Sequence, residues 1–408
     1  MIFNTSKNYK QPKLLLKVKK HWLVRLDISD RIKIGHMVVA GEKITRLSEY
    51  AQAQKLPLII ISASGGARMQ EGVEALMQMA KTTLAIQRFL KNGLFISVCA
   101  NPTMGGTTAS FMMQGDVIVA HPQAHIGFSG KRVVKQTLGQ PFDTNVQKSE
   151  TLHSQGWLDL LVSRKDLKTQ LIDLLNLHVK NEVTLKPIVL ASNQLPLDAS
   201  PWKSVQKARD SRRFKASDIL AACFENLISF SANNRCLPSS LISCIGLFND
   251  LPVTILAHQK DILNGQSGML LPSDYRRVVR AIKQAEKFKR PIITLIDTPG
   301  ADPSMASELK GQASAISESL AAFANAKVCV ITIILSEGGS GGALAMGIGD
   351  ALLMLEHAYY SIISPEGYAS ILLRDASKAK QVAQSMKITA KELKTMQIVD
   401  AIILEQSY

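Results

Sequence analysis

Cysteine is sparse in this chain: five in 408 residues (Cys99, Cys223, Cys236, Cys244, Cys329), with no C-x-x-C pair. That pattern excludes a zinc ribbon and predicts reduced thiols, and no metal is expected. Aromatic residues are only 5% of the chain, and no RNP, zinc-finger or GXXG signature accompanies them, so nucleic acid is not an expected partner. Long apolar runs are missing too. Val328 to Leu335 is far too short to cross a bilayer and suits a buried strand. In the basic start (Lys7, Lys10, Lys13, Lys17, Lys19, Lys20) only Leu14-Leu15-Leu16 follows the first lysines, which is no apolar signal segment. The expectation is a cytoplasmic protein without membrane attachment. What the chain does have is charge: a net +15, which favours an anionic partner such as a phosphate-rich cofactor or an acidic protein.

The strongest internal pattern is a duplication. LPLIIISASGGA, ending at Ala67, aligns with RPIITLIDTPGA, ending at Ala301. The same offset, without a gap, pairs Pro57 with Pro291, Phe89 with Phe323, Ala109 with Ala343 and Asp116 with Asp350. Each copy predicts a strand (Leu56 to Ile61; Ile292 to Ile296), a glycine turn, and a helix. The helix carries Leu76, Met79, Ala80, Thr83, Leu84 and Gln87 in one copy, and Ile316, Leu320 and Phe323 in the other. A second strand follows (Leu94 to Ala100; Val328 to Leu335), then a glycine-rich segment, a helix and a third strand (Val117 to Ala120; Ala351 to Leu355). Alternating strands and helices predict α/β layers with strands buried on both faces. Polar, helix-forming residues 151 to 235 read as a connecting region, with Pro187 to Pro201 as linker.

The glycine segments raise the chemical question. SEGGSGGALAMGIGD (Ser336 to Asp350) is not a phosphate loop, because Ala343 stands where a lysine is required. Nor is it a dinucleotide fingerprint, since Leu344 occupies the last glycine position. Gly338 to Gly342 does match the G-x-S-x-G nucleophile elbow, with Asp350 and His357 as acid and base, both close in sequence. A third reading uses backbone amides brought close to a ligand to stabilise an oxyanion. Tight packing of turns is a fourth. Glycines at four junctions (Gly65-Gly66, Gly105-Gly106, Gly300 before Ala301, and Gly341-Gly342), paired at three of them, favour the amide reading over packing alone.

These segments resemble the carboxyltransferase component of acetyl-CoA carboxylase, in the crotonase-like superfamily. The first half is similar to the β subunit in SASGGARMQEG (Ser62 to Gly72), PTMGGTTASFMMQGD (Pro102 to Asp116) and IGFSGKRVVKQT (Ile126 to Thr137). The second resembles the α subunit in AHQK (Ala257 to Lys260), AEKFKRPIITLIDTPGADP (Ala285 to Pro303), SEGGSGGALAMGIGD and SIISPEGYASILLRDASKA (Ser361 to Ala379). The resemblance implies two tandem crotonase-like α/β domains, β-like over 1–185 and α-like over 186–408. It also implies transfer of a carboxyl group from carboxybiotin on a carrier protein to acetyl-CoA, giving malonyl-CoA for fatty acid synthesis. Biotin carboxyl carrier protein and biotin carboxylase are the implied partners, and a homodimer of fused chains the implied assembly.

By that resemblance Gly105 and Gly106 serve the thioester side, and Gly341, Gly342 and Ala343 the biotin side. Gly65, Gly66, Ala67, Arg68, Gly300 and Ala301 are substrate-binding candidates at the first turns, and Lys131 and Arg132 at CoA phosphates. Glu337 and Glu366 are expected to orient loops or form buried pairs, and His258 to be structural or a pocket wall. Gly342→Val is expected to abolish transfer with folding mostly intact. This sequence holds no four-cysteine zinc ribbon of the kind usual in β subunits, and Arg31 to Met37 stands where the family has a glycine- and methionine-rich stretch before VVAGEKI, so the acyl-CoA pocket is expected to differ from the family's. The alternatives are a carboxyltransferase or decarboxylase for another acyl-CoA, or a non-catalytic assembly subunit.

Overall fold

The computed structural model describes residues 24–29, 37–66, 71–130, 134, 143–178, 200–230, 240–260 and 268–405. They fall into two compact units, one ending at His178 and one holding every described residue from Ser200 on.

The first unit runs β1 (Val24–Ser29), α1 (Met37–Ala53), β2 (Leu58–Ser64), α2 (Gly72–Leu90), β3 (Phe95–Met104) and α3 (Gly106–Ser110). It continues with β4 (Val117–Ala120), β5 (Ile126–Gly127), α4 (Ser149–Ser154), β6 (Leu160–Leu161) and α5 (Leu167–Leu177). The strands form a parallel sheet in the order β1-β2-β3-β4-β6, with β5 added on β3. Apolar runs such as Leu58 to Ile60 and Phe95 to Cys99 are buried almost throughout, as strands covered on both faces require. VVAGEKI lies within α1. The buried face of α2 is Ala75, Thr82, Ala85, Ile86 and Phe89, while Leu76 and Leu84 are exposed.

The second unit runs α6 (Pro201–Ala208), α7 (Ala216–Cys223), β7 (Glu225–Ser229), β8 (Leu241–Phe248), β9 (Leu251–His258), α8 (Pro272–Phe288) and β10 (Ile292–Thr298). Next come α9 (Met305–Leu309), α10 (Gln312–Ala324), β11 (Val330–Gly339), α11 (Ser340–Leu344), β12 (Ala351–Leu355) and β13 (Tyr359–Ser361). Last are α12 (Pro365–Leu373), α13 (Ala379–Ala383), α14 (Ala390–Thr395) and β14 (Ala401–Ile403). The sheet order is β14-β12-β11-β10-β9-β8-β7, with β13 on β11; only the β7-β8-β9 end is antiparallel. Pro272 opens α8, where its missing N–H costs nothing, and Asp274 accepts the Leu271 N–H at 2.9 Å. Tyr275, Val278, Ile282 and Ala285 then recur at helical spacing and bury against the sheet.

The strands of the first unit have counterparts in the second, which adds β7 and β8, but not in one ungapped register. Leu58 pairs with Phe95, whereas its counterpart Ile292 pairs with Val330, one residue beyond the constant offset. The Phe95 N–H reaches Asp116 at 2.9 Å, as the Val330 N–H reaches Asp350 at 2.8 Å. The slide therefore spans the whole of β3 and β11 and is undone after the glycine segments. The ungapped alignment was wrong over this stretch because a strand's position is fixed by its neighbours, while the loop before it can absorb a residue.

Candidate active site

Each unit brings two turns together at the carboxyl ends of its strands, where open α/β sheets bind ligands. In the first unit the turn after β2 meets the turn after β3: a Cβ on Gly105 would fall 3.2 Å from the Gly66 Cα. In the second, the turn after β10 meets that after β11: a Cβ on Gly300 would lie 3.5 Å from the Gly339 carbonyl oxygen. A hydroxyl two residues earlier braces each first turn. The Gly66 N–H donates to Ser64 Oγ at 3.2 Å, and the Gly300 N–H to Thr298 Oγ1 at 3.0 Å. These two amides are thereby engaged within their own turns.

The second turns diverge in detail. Gly105 has φ +64, and its N–H donates to the Gly127 carbonyl at 2.9 Å. Of the pair it is therefore Gly106, opening α3, whose amide has no intrahelical carbonyl and can face a ligand. Through the one-residue slide, the place of Gly105 is taken by Ser340, with φ +62 and an exposed position. A non-glycine residue there is strained by about 1–2 kcal/mol. Gly341, Gly342 and Ala343 follow in the first turn of α11. Gly341 is exposed, with open space where a side chain would stand. Gly342 and Ala343 are buried. A Cβ on Gly342 would meet the Ala301 nitrogen and lie 2.7 Å from the Gly300 carbonyl carbon, and the Tyr275 hydroxyl donates to the Gly342 carbonyl at 3.2 Å. The expectation that Gly342→Val leaves folding intact is thus corrected: backbone packs where the side chain would go.

Ala301 forms a bridge with Leu270, and Gly65 is exposed at the end of β2. Ala67, Arg68, Lys131 and Arg132 lie outside the described residues, as does most of the expected linker.

The nucleophile elbow loses its partners. Asp350 accepts from Val330 at the amino end of β11, about 30 Å of extended strand away from Ser340. His357 meets Lys207 Nζ at 2.9 Å instead, and its backbone N–H is accepted by Glu405. The elbow backbone is present, and the acid and base it needs are elsewhere.

Glu337 and Glu366, expected to orient loops or form buried pairs, both have ionic partners, but only Glu337 is buried. Glu337 is buried and accepts from Tyr359 Oη at 2.6 Å, Arg209 Nε at 3.2 Å and Lys260 Nζ. Arg209 also grips Glu366 in a fork at 2.7 and 3.2 Å. Burial would lower the guanidinium pKa, but the Glu366 hydrogen bond and the nearby Tyr359 and Glu337 raise it overall. Burial, with the Glu337 charge, drives the Tyr359 phenol well above its ordinary value. Asp297 accepts the Glu337 N–H at 3.2 Å, and burial raises its carboxyl pKa. His258 is fully buried and burial holds its imidazole down at about 4, so it is neutral and makes a poor base. Among the described residues, no group of three His, Cys, Asp or Glu side chains is placed to hold a metal, and no helix is long and apolar enough to cross a membrane.

The fold has solved counterparts. The transcarboxylase 12S core, with methylmalonyl-coenzyme A bound, superposes with a TM-score of 0.76 at 22% identity, covering 90% of this chain and 73% of that one. A single-chain, multi-domain long-chain acyl-CoA carboxylase gives 0.70 at 16%, covering 89% of this chain and 36% of that one. The two repeated α/β units of this chain therefore share the fold of those proteins.

The sequence comparisons narrow the class. A family described as acetyl co-enzyme A carboxylase carboxyltransferase-like matches residues 179–408. The acetyl-coenzyme A carboxylase carboxyl transferase subunits beta/alpha of Clostridium tetani is 43% identical, covering 93% of this chain and 68% of that protein. Its namesake from Natranaerobius thermophilus is 40% identical, with 93% and 67% covered. The chain belongs to the acetyl-CoA carboxylase carboxyltransferase family and spans about two thirds of the length of these relatives.

Proposed function

We propose that this chain is the carboxyltransferase component of an acetyl-CoA carboxylase, with β-like and α-like halves fused, moving a carboxyl group from carboxybiotin to acetyl-CoA to form malonyl-CoA. The observation that carries this reading is the paired glycine turns, repeated at matching strand ends in two units of a chain 43% identical to a beta/alpha carboxyl transferase. Carboxybiotin, delivered on a carrier protein, supplies the carboxyl group and the base; the chain supplies oriented hydrogen-bond donors.

In this reading the Gly106 amide holds the thioester oxygen as charge develops on it, and the Gly341 amide serves the biotin side, where open space fronts the backbone. Such donors, fixed before charge appears, are commonly the largest catalytic contribution. Gly105, Gly342 and Ala343 then shape the turns around those amides, with Gly65, Gly66, Gly300 and Ala301 behind them. Arg68, Lys131 and Arg132 remain candidates for CoA phosphates, which guanidinium and ammonium groups suit. In this proposal the β-like half is 1–185 and takes acyl-CoA, and the α-like half is 186–408 and takes biotin. A cytoplasmic location, a biotin carboxyl carrier protein, a biotin carboxylase and a homodimer complete the proposal.

The test is the reverse reaction: the purified chain, given malonyl-CoA and biocytin, should form acetyl-CoA. Folded protein that gives no turnover, alone or with carrier, would favour a non-catalytic role in assembly.

A further inference from the structure

The second unit gathers charged side chains around one buried carboxylate, Glu337, that the proposed chemistry does not use. Lys260 lies two residues past β9, Asp297 is the penultimate residue of β10, Glu337 is near the end of β11, and Tyr359 begins β13. All four stand at the carboxyl edge of the sheet. Asp297 precedes Gly300 by three residues, and Glu337 precedes Ser340 by three. The Asp297–Glu337 hydrogen bond, at 3.2 Å, ties the two strands where their ladder register shifts, between Ile296 and Thr298. Four side chains then converge on that tie. Lys260 and Tyr359 reach Glu337 directly, Arg209 reaches it from just beyond α6, and Glu366 of α12 holds Arg209 from the far side.

Among the described residues, the first unit fastens the same strand end without charge. The slide places Pro102 opposite Glu337, and the next residue, Thr103, donates to the Ser62 carbonyl and lies within hydrogen-bond distance of that of Ala100, at 2.9 and 2.8 Å. There the bonds of one hydroxyl to main-chain carbonyls hold the strand end. Buried ion pairs cost desolvation that apolar packing avoids, so stability alone accounts poorly for the cluster, whereas fixing one geometry accounts for it well.

We propose that Glu337 is a positioning residue: anchored by Arg209, Lys260 and Tyr359, it sets the height and direction at which β11 delivers Ser340 to Ala343 against the Gly300 turn. The catalytic part of this inference rests on the amide reading of the glycine turns; the positioning part does not. A misplacement of the reacting geometry by about 1 Å can cost a hundredfold in rate.

The experiment pairs two measurements on the intact chain. Amide hydrogen exchange by mass spectrometry follows residues 338–345, and reverse transfer from malonyl-CoA to biocytin gives kcat and both KM values. Glu337→Gln keeps the shape and removes the charge. It should speed exchange over 338–345 while the Val330 to Ile334 amides stay protected, and lower kcat by about a hundredfold with KM for malonyl-CoA unchanged. Tyr359→Phe and Lys260→Met each remove one anchor and should give smaller effects in the same direction; they carry the test if Glu337→Gln does not fold. Wild-type exchange over 338–345 in folded variants overturns the positioning role whatever the turnover. So does loosening spread evenly along β11. Faster local exchange in a chain whose wild type shows no turnover would uphold the positioning role and sink the transfer reading.

Discussion

A methyl group placed on Gly342 would lie 2.7 Å from the carbonyl carbon of Gly300, so the two turns of the second unit are in backbone contact. Gly342→Ala should therefore destabilise the second unit by about 1–3 kcal/mol, the ordinary cost of overpacking. Gly341→Ala is the contrast, because no heavy atom lies within 4 Å of its added carbon. Urea midpoints should fall for Gly342→Ala and stay put for Gly341→Ala, with reverse transfer reduced in both. A Gly341→Ala enzyme of full activity would remove its amide from the proposed pocket.

Ser340 pays for its left-handed backbone, and glycine would relieve that strain. Ser340→Gly is expected to leave the thermal midpoint unchanged or raise it. A fluorophosphonate should form no adduct at Ser340, since Asp350 and His357 are engaged elsewhere. An adduct located there by mass spectrometry would restore the nucleophile elbow.

The buried imidazole of His258 should make stability depend on pH. Its folded value, about 4, lies below the ordinary 6.5 because burial penalises the cation. Above pH 6.5 the ring is neutral folded or unfolded. As the pH falls from 6.5 towards 4 the unfolded chain takes up a proton and the folded one does not, so stability is lost, by as much as roughly 3 kcal/mol. Denaturation of wild type and His258→Leu at pH 7 and pH 4.5 measures the difference. Identical pH dependence in the two would contradict it.

Much of this was legible in the sequence. Val117–Ala120 and Ala351–Leu355 are strands over the expected residues, because each is a short apolar run bounded by turn formers. The strand expected to end at Ile61 continues to Ser64, since pairing of Ser64 with Thr103 extends it beyond the apolar run. The constant offset pairs Gly105 with Gly339, yet Gly105 is equivalent to Ser340. Glycines can be matched in either register, and only strand pairing separates the two. The Glu337 cluster drew residues from positions as distant as Arg209, 128 positions away, so periodicity and spacing gave no sign of its membership.

The two ways of closing a strand end have different mutational targets. Thr103 leans on the main-chain carbonyls of Ser62 and Ala100, which no substitution elsewhere deletes. Glu337 leans on Arg209, Lys260 and Tyr359, and through Arg209 on Glu366, any of which one codon change can remove. The second half is therefore the more brittle under drift, and the positions 209, 260, 337, 359 and 366 should change together among relatives or not at all.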